Sequence, residues 1–107
     1  MLYILKSIFN TSLEDALEEV LFSFYNEVNI DLQRMALAVK TEDYTAVNDI
    51  AHKMLTLTRQ LEAKEVVKIL DVLEYVTPEN LRQETLKSLL NSLQEKVENL
   101  VTALKNR

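Results

Sequence analysis

Apolar residues recur along this chain at spacings of three and four. From residue 13 they fall at Leu13, Ala16, Leu17, Val20, Leu21, Phe24, Val28, Leu32, Met35 and Val39, a stripe of helical period over about seven turns. Ser12, followed by Glu14 and Asp15 in the first turn, reads as the N-cap of this helix. Thr41-Glu42-Asp43 interrupts the pattern. A second helix is predicted over residues 43–61, with Val47, Ile50, Ala51, Met54, Leu57, Thr58 and Leu61 on its buried side. A third is predicted over residues 63–76, with Val66, Ile69, Leu70 and Leu73 facing inward. Thr77-Pro78-Glu79 then combines an N-cap residue, a proline at the first helical position and an adjacent acid. The fourth helix is expected to start there and to carry Leu86, Leu89, Leu93, Val97, Leu100 and Leu104.

Short joins force neighbouring helices to run antiparallel, and each stripe needs the others to be buried. The predicted fold is all-α: an antiparallel up-down four-helix bundle, with residues 1–10 forming a short additional helix that caps one end. The whole chain, residues 1–107, reads as one domain. Composition narrows the chemistry. There is no glycine and a single proline, Pro78, which argues against a sheet-rich fold. Glycine-rich phosphate loops are excluded outright. There is no cysteine, so disulfides, thiolate metal sites and cysteine nucleophiles are excluded, in keeping with a reducing compartment.

The net charge is −5, and the lysines and arginines are scattered. No basic stripe points to nucleic acid. Residues 1–10 are apolar but short and are interrupted by Lys6, so neither a membrane span nor a signal peptide is expected.

His52 is the only histidine. At 100° per residue it lies roughly 160° from the centre of the buried stripe of its helix, and it is expected to face solvent in mid-helix. Such a residue is often an ordinary surface side chain, and that reading stays open here. Asp49-x-x-His52 has the spacing of a bundle metal motif, but no second motif accompanies it and the ligands would point outward, so no metal is expected. A neutral imidazole on an open helix face has a further use. It can attack a phosphoryl group through one nitrogen while an acceptor holds the other. No pocket is required where the partner protein brings the metal and the leaving group.

Around His52 the sequence resembles a histidine-containing phosphotransfer (HPt) domain. Asp43-Tyr44 matches the acidic and aromatic pair at the helix start. Ala51-His52-Lys53-Met54 matches the start of the core motif. Leu61 and Ala63 match its later leucine and alanine, and Leu73-Glu74 matches the end of the third helix. The match spans residues 20–76, and an arginine at position 59 is similar to HPt modules at the ends of hybrid sensor kinases. Three positions depart from the pattern: the lysine three residues after the histidine is Leu55, the glycine four residues after it is Thr56, and the glycine before Ala63 is Glu62.

The resemblance implies a phosphorelay intermediate of a two-component system, a carrier without catalysis of its own. His52 would accept the phosphoryl group from one receiver-domain aspartate and pass it to another. Glu74 stands where the family places an acceptor for the imidazole Nδ1–H. No cofactor is implied beyond Mg²⁺ on the partner receiver, and the expected location is cytoplasmic, freestanding or within a membrane-bound hybrid sensor kinase. Arg59, nearly in line with His52 two turns on, is the expected substitute for the missing lysine, with Lys53 a poorer candidate; pairing of Arg59 with Glu62 is the alternative. Leu55 is apolar yet off the stripe, and with Thr56 and Val67 it forms the expected receiver-docking patch. The competing expectation packs Leu55 beneath the N-terminal helix. Two other functions stay open: a degenerate bundle that docks a signalling partner without phosphotransfer, and a histidine-kinase dimerisation domain. The second is weakened by Lys53, which stands where that family has an acid.

Overall fold

The structure is a computed structural model that describes residues 13–106. Four helices account for most of them: α1 (Leu13–Lys40), α2 (Tyr44–Gln60), α3 (Lys64–Glu74) and α4 (Gln83–Lys105). No strand occurs among the described residues. The expected helix at residues 1–10 and the Ser12 cap lie outside them. No helix among the described residues is long and apolar enough to cross a membrane.

The helices close a ring: α1 packs on α2, α2 on α3, α3 on α4, and α4 returns to α1. All four feed one core, in which Met35, Leu55, Leu70, Leu73, Leu86 and Leu93 are fully buried. Polar contacts mark which stretches run side by side. Lys53 reaches Asp31, Asn48 reaches the end of α3, and Lys96 pairs with Glu65. Gln83 donates to the Val39 carbonyl (2.8 Å) and accepts from the Tyr44 hydroxyl (3.2 Å), which joins the ends of α1, α2 and α4 at one side chain.

The stripe of α2 sits differently from the expected one. Val47, Ile50, Ala51, Met54, Leu55 and Thr58 are buried, a run of threes and fours whose centre lies near Ala51 and Thr58. Counting Leu57 and Leu61 as core had drawn the centre to the other side. Leu55 is about 70° from the true centre and Leu57 about 90°. Leu57 is accordingly only partly buried, and Leu61, the C-cap, is exposed. On α1, Val20 is likewise exposed, at 59%. On α4, Leu90 joins the expected stripe in the core.

The fourth helix does not start at Thr77-Pro78. Those residues open a single turn that closes on itself. The Asn80 amide N–H donates to Thr77 Oγ1 (3.2 Å), the Thr77 N–H to Asn80 Oδ1 (2.8 Å), and Asn80 Nδ2 to the Tyr75 carbonyl (3.0 Å). Once these groups are satisfied among themselves, nothing drives the helix onward. Arg82 is extended (φ −70°, ψ 150°), and α4 starts at Gln83.

The α1–α2 and α2–α3 joins share one geometry. In each, a glutamate takes the left-handed conformation just past the helix, Glu42 at φ 56° and Glu62 at φ 55°. The next residue's N–H reaches back five residues, Asp43 to the Ala38 carbonyl and Ala63 to the Thr58 carbonyl, which is the helix-ending motif that glycine ordinarily serves. Glu62 and Glu42 thus hold a backbone conformation that suits glycine. Left-handed backbone costs a residue with a Cβ about 1 kcal/mol or more. Glu62→Gly and Glu42→Gly should therefore each raise stability by up to about 1 kcal/mol, after the entropy glycine gains in the unfolded chain. Urea unfolding at equilibrium measures this, and a midpoint that falls in both variants would contradict it.

Candidate functional site

Asp43 starts α2 by accepting from the Ala46 N–H (3.1 Å), and Tyr44 fixes the same end through Gln83. From there α2 turns its buried stripe to the core. His52, about 130° from the stripe centre, stands clear of the protein. Its side chain is 70% exposed.

Among the described residues its one hydrogen-bonding side-chain partner comes from the neighbouring helix. His52 Nδ1 lies 2.5 Å from Glu74 Oε1, and the Glu74 side chain is only 14% exposed. The pair is therefore lopsided: a sheltered carboxylate holds an open ring by one nitrogen. A carboxylate only accepts, so the hydrogen on this contact belongs to Nδ1. In the neutral ring the second nitrogen, Nε2, then carries a lone pair. Among the described residues Nε2 has no hydrogen-bond partner.

The expected supporting residues are distributed otherwise. Leu55 is fully buried in the core and presents nothing to a partner. Its expected place in a docking patch is corrected by the wheel geometry that puts it among Ala51, Met54 and Thr58. Val67 is partly buried against the same core. Thr56 is exposed one turn beyond His52, and its hydroxyl points back to the His52 carbonyl (3.4 Å). Its Cβ thus occupies ground that a glycine would leave open.

Neither candidate cation is directed at His52. Lys53 turns to the opposite side of α2, where Nζ meets Asp31 Oδ1 (3.2 Å) and Glu27 Oε1 (3.6 Å). Asp31 is a buried carboxylate, its side chain 4% exposed, and Arg34 also approaches it at 3.7 Å. Lys53 therefore neutralises a charge that is costly to bury and ties α1 to α2. Arg59 pairs with Asp71 of α3 at 2.8 Å rather than with Glu62, and both partners are about half exposed. No group of three or more His, Cys, Asp or Glu residues able to hold a metal occurs among the described residues.

Helical spacing sets Asn48 beside His52 but gives it no role. One turn before His52, its Nδ2 donates to the Leu73 carbonyl (2.9 Å) and the Val76 carbonyl (3.0 Å). The only available signal was its position, on the same edge of α2 as His52. Asp31 and Asp71 were missed, because helical periodicity does not say which residues of separate helices meet.

These placements order the effects of substitution. Leu55→Asp should remove about 4 kcal/mol or more, most of the stability of a domain this size, because it puts a carboxylate in the core. Lys53→Met should cost about 2 kcal/mol by taking from Asp31 the nearer of its two cations and leaving only Arg34, whereas Arg59→Ala should cost less than about 1 kcal/mol, as exposed pairs do. Denaturant unfolding gives all three. A stably folded Leu55→Asp domain would contradict the burial of this residue. Compared with known protein families, curated proteins and solved structures, the chain matches none, so the chemistry of the site is read from its geometry.

Proposed function

We propose that this domain is a phosphorelay intermediate of the histidine-containing phosphotransfer type, with His52 as the phosphoacceptor. The observation that carries this reading is the His52–Glu74 contact, which occupies Nδ1 and leaves Nε2 free on an exposed helix face. The finer architecture belongs to the same proposal: an antiparallel up-down bundle.

In the forward step the Nε2 lone pair attacks the phosphorus of a receiver's aspartyl phosphate. The N–P bond forms as the P–O bond to the aspartate breaks, and the aspartate leaves as a carboxylate. The receiver's Mg²⁺ offsets the charge on the phosphoryl oxygens. The ring takes on positive charge, and Glu74 stabilises it through the Nδ1–H. Transfer to a second receiver reverses these bonds. The domain provides position and electrostatics and is a carrier, not an enzyme. Its partners are receiver domains, within a cytoplasmic two-component system or a hybrid sensor kinase. Docking falls to the outer face of α2 around His52 and Thr56, since Leu55 is in the core.

Arg59 enters this scheme as a residue that would have to leave Asp71 to reach a phosphoryl group. Its exposed pairing is worth less than about 1 kcal/mol, so the exchange is accessible once about two negative charges stand on the ring.

A second reading, docking without transfer, is favoured by one observation: among the described residues no cation is directed at His52. One experiment separates the two. A receiver domain carrying labelled aspartyl phosphate and Mg²⁺ is mixed with the domain. Transfer predicts acid-labile, base-stable label on the wild type and none on His52→Gln, with the receiver bound by both. Binding without label on the wild type would replace the first reading by the second.

A further inference from the structure

α3 is short and ends at Glu74, the residue that faces the imidazole. The last carbonyls of a helix have no partner within it and must find one elsewhere. Here one of them, the Leu73 carbonyl, finds a donor on α2. A primary amide carries two N–H bonds on one nitrogen, and Asn48 spends them on two carbonyls, those of Leu73 and Val76. These carbonyls bracket Glu74: Leu73 precedes it directly, and Val76 follows two residues later. The Leu73 side chain is itself fully buried. The peptide that bears Glu74 is thus fixed from below by core packing and from the side by Asn48.

Asn48 and His52 are one turn apart on the same edge of α2, so the residue that fixes Glu74 and the residue Glu74 contacts belong to one rigid rail. Asn48 makes no hydrogen bond to the ring; its two go to the Leu73 and Val76 carbonyls. A small rotation of the α3 end would nevertheless carry Oε1 away from Nδ1, because a contact this close tolerates little displacement.

We propose that Asn48 is a positioning residue for His52: by clamping the two carbonyls that bracket Glu74, it holds the carboxylate on Nδ1 and keeps the ring's proton there, so that Nε2 faces outward as the lone-pair nitrogen. The assignment of the tautomer stands on these contacts alone. Naming Nε2 as the reacting atom rests on the phosphotransfer reading.

The test is the tautomer of His52, read from ring nitrogen shifts in long-range ¹H–¹⁵N correlation spectra of the ¹⁵N-labelled chain across a pH series, at the point where those shifts themselves report a neutral ring. The wild type should be mainly the Nδ1–H form. Glu74→Ala, which removes the acceptor, sets the spectrum of a released ring. Asn48→Ala should move the Nδ1–H to Nε2–H ratio toward that spectrum by about fivefold, the factor that corresponds to one net hydrogen bond. Asn48→Ser, which retains one donor, should fall between them, and it decides the matter if the alanine variant does not fold. A wild-type spectrum in the folded Asn48 variant, with Glu74→Ala shifted, overturns the proposal. Rates of labelling by the phosphorylated receiver are read in parallel and should fall several-fold in Asn48→Ala. If the wild type takes no label while the tautomer shift occurs, the phosphotransfer reading fails and the positioning role of Asn48 stands.

Discussion

Everything about the candidate site depends on where the end of α3 is held against α2. Two neutral hydrogen bonds from Asn48 contribute about 1 kcal/mol each, a small share of a domain's stability, yet they fall where position matters most. The imidazole is fixed by its helix and the carboxylate by the neighbouring helix, so their separation depends on helix packing. Without a cross-strut, packing alone sets such distances loosely. With it, two residues on one edge of α2 and one segment of α3 behave as a single unit. The rest of the ring of helices gives this unit a stiff backing, chiefly through Leu55, Leu70 and Leu73, which lie fully buried behind it.

The surroundings of His52 show a division of labour among charges. On one side of α2, Lys53 is committed to Asp31, a carboxylate that needs it because it is buried. On the other, Arg59 is held loosely in an exposed pair with Asp71. The two basic residues nearest in sequence thus differ in availability, and burial of the partner is the reason. A charge that compensates a buried group is part of the fold; a charge paired in solvent is exchangeable.

Much of the architecture was legible in the order of residues. The bounds of α2 came within a residue of those observed because Asp43 is an effective cap and the apolar repeat is regular. His52 was correctly set on the outer face for the same reason. The repeat misplaced Leu55, since one helix edge could be filled by Leu55 or by Leu57 and Leu61, and only the neighbours of α2 decide between them. Thr77-Pro78 was a sound start signal with a local competitor, Asn80, whose side chain closes the turn early. Glu74 was reached through family resemblance, not periodicity. Asn48, Asp31 and Asp71 depend on contacts between helices, and no regularity within one helix encodes those.

The two ends of α3 are not equally secured. At its start, Ala63 is the cap and offers no side-chain acceptor to the first-turn N–H groups. At its finish, the Asn48 amide holds the Leu73 carbonyl and, just past the helix, that of Val76. The first turn of α3 is thus left without a side-chain cap, while its last turn is tied to α2 through the Leu73 carbonyl. The imidazole sits beside the end of α3 that is tied to its neighbour, not beside the end that lacks a side-chain cap.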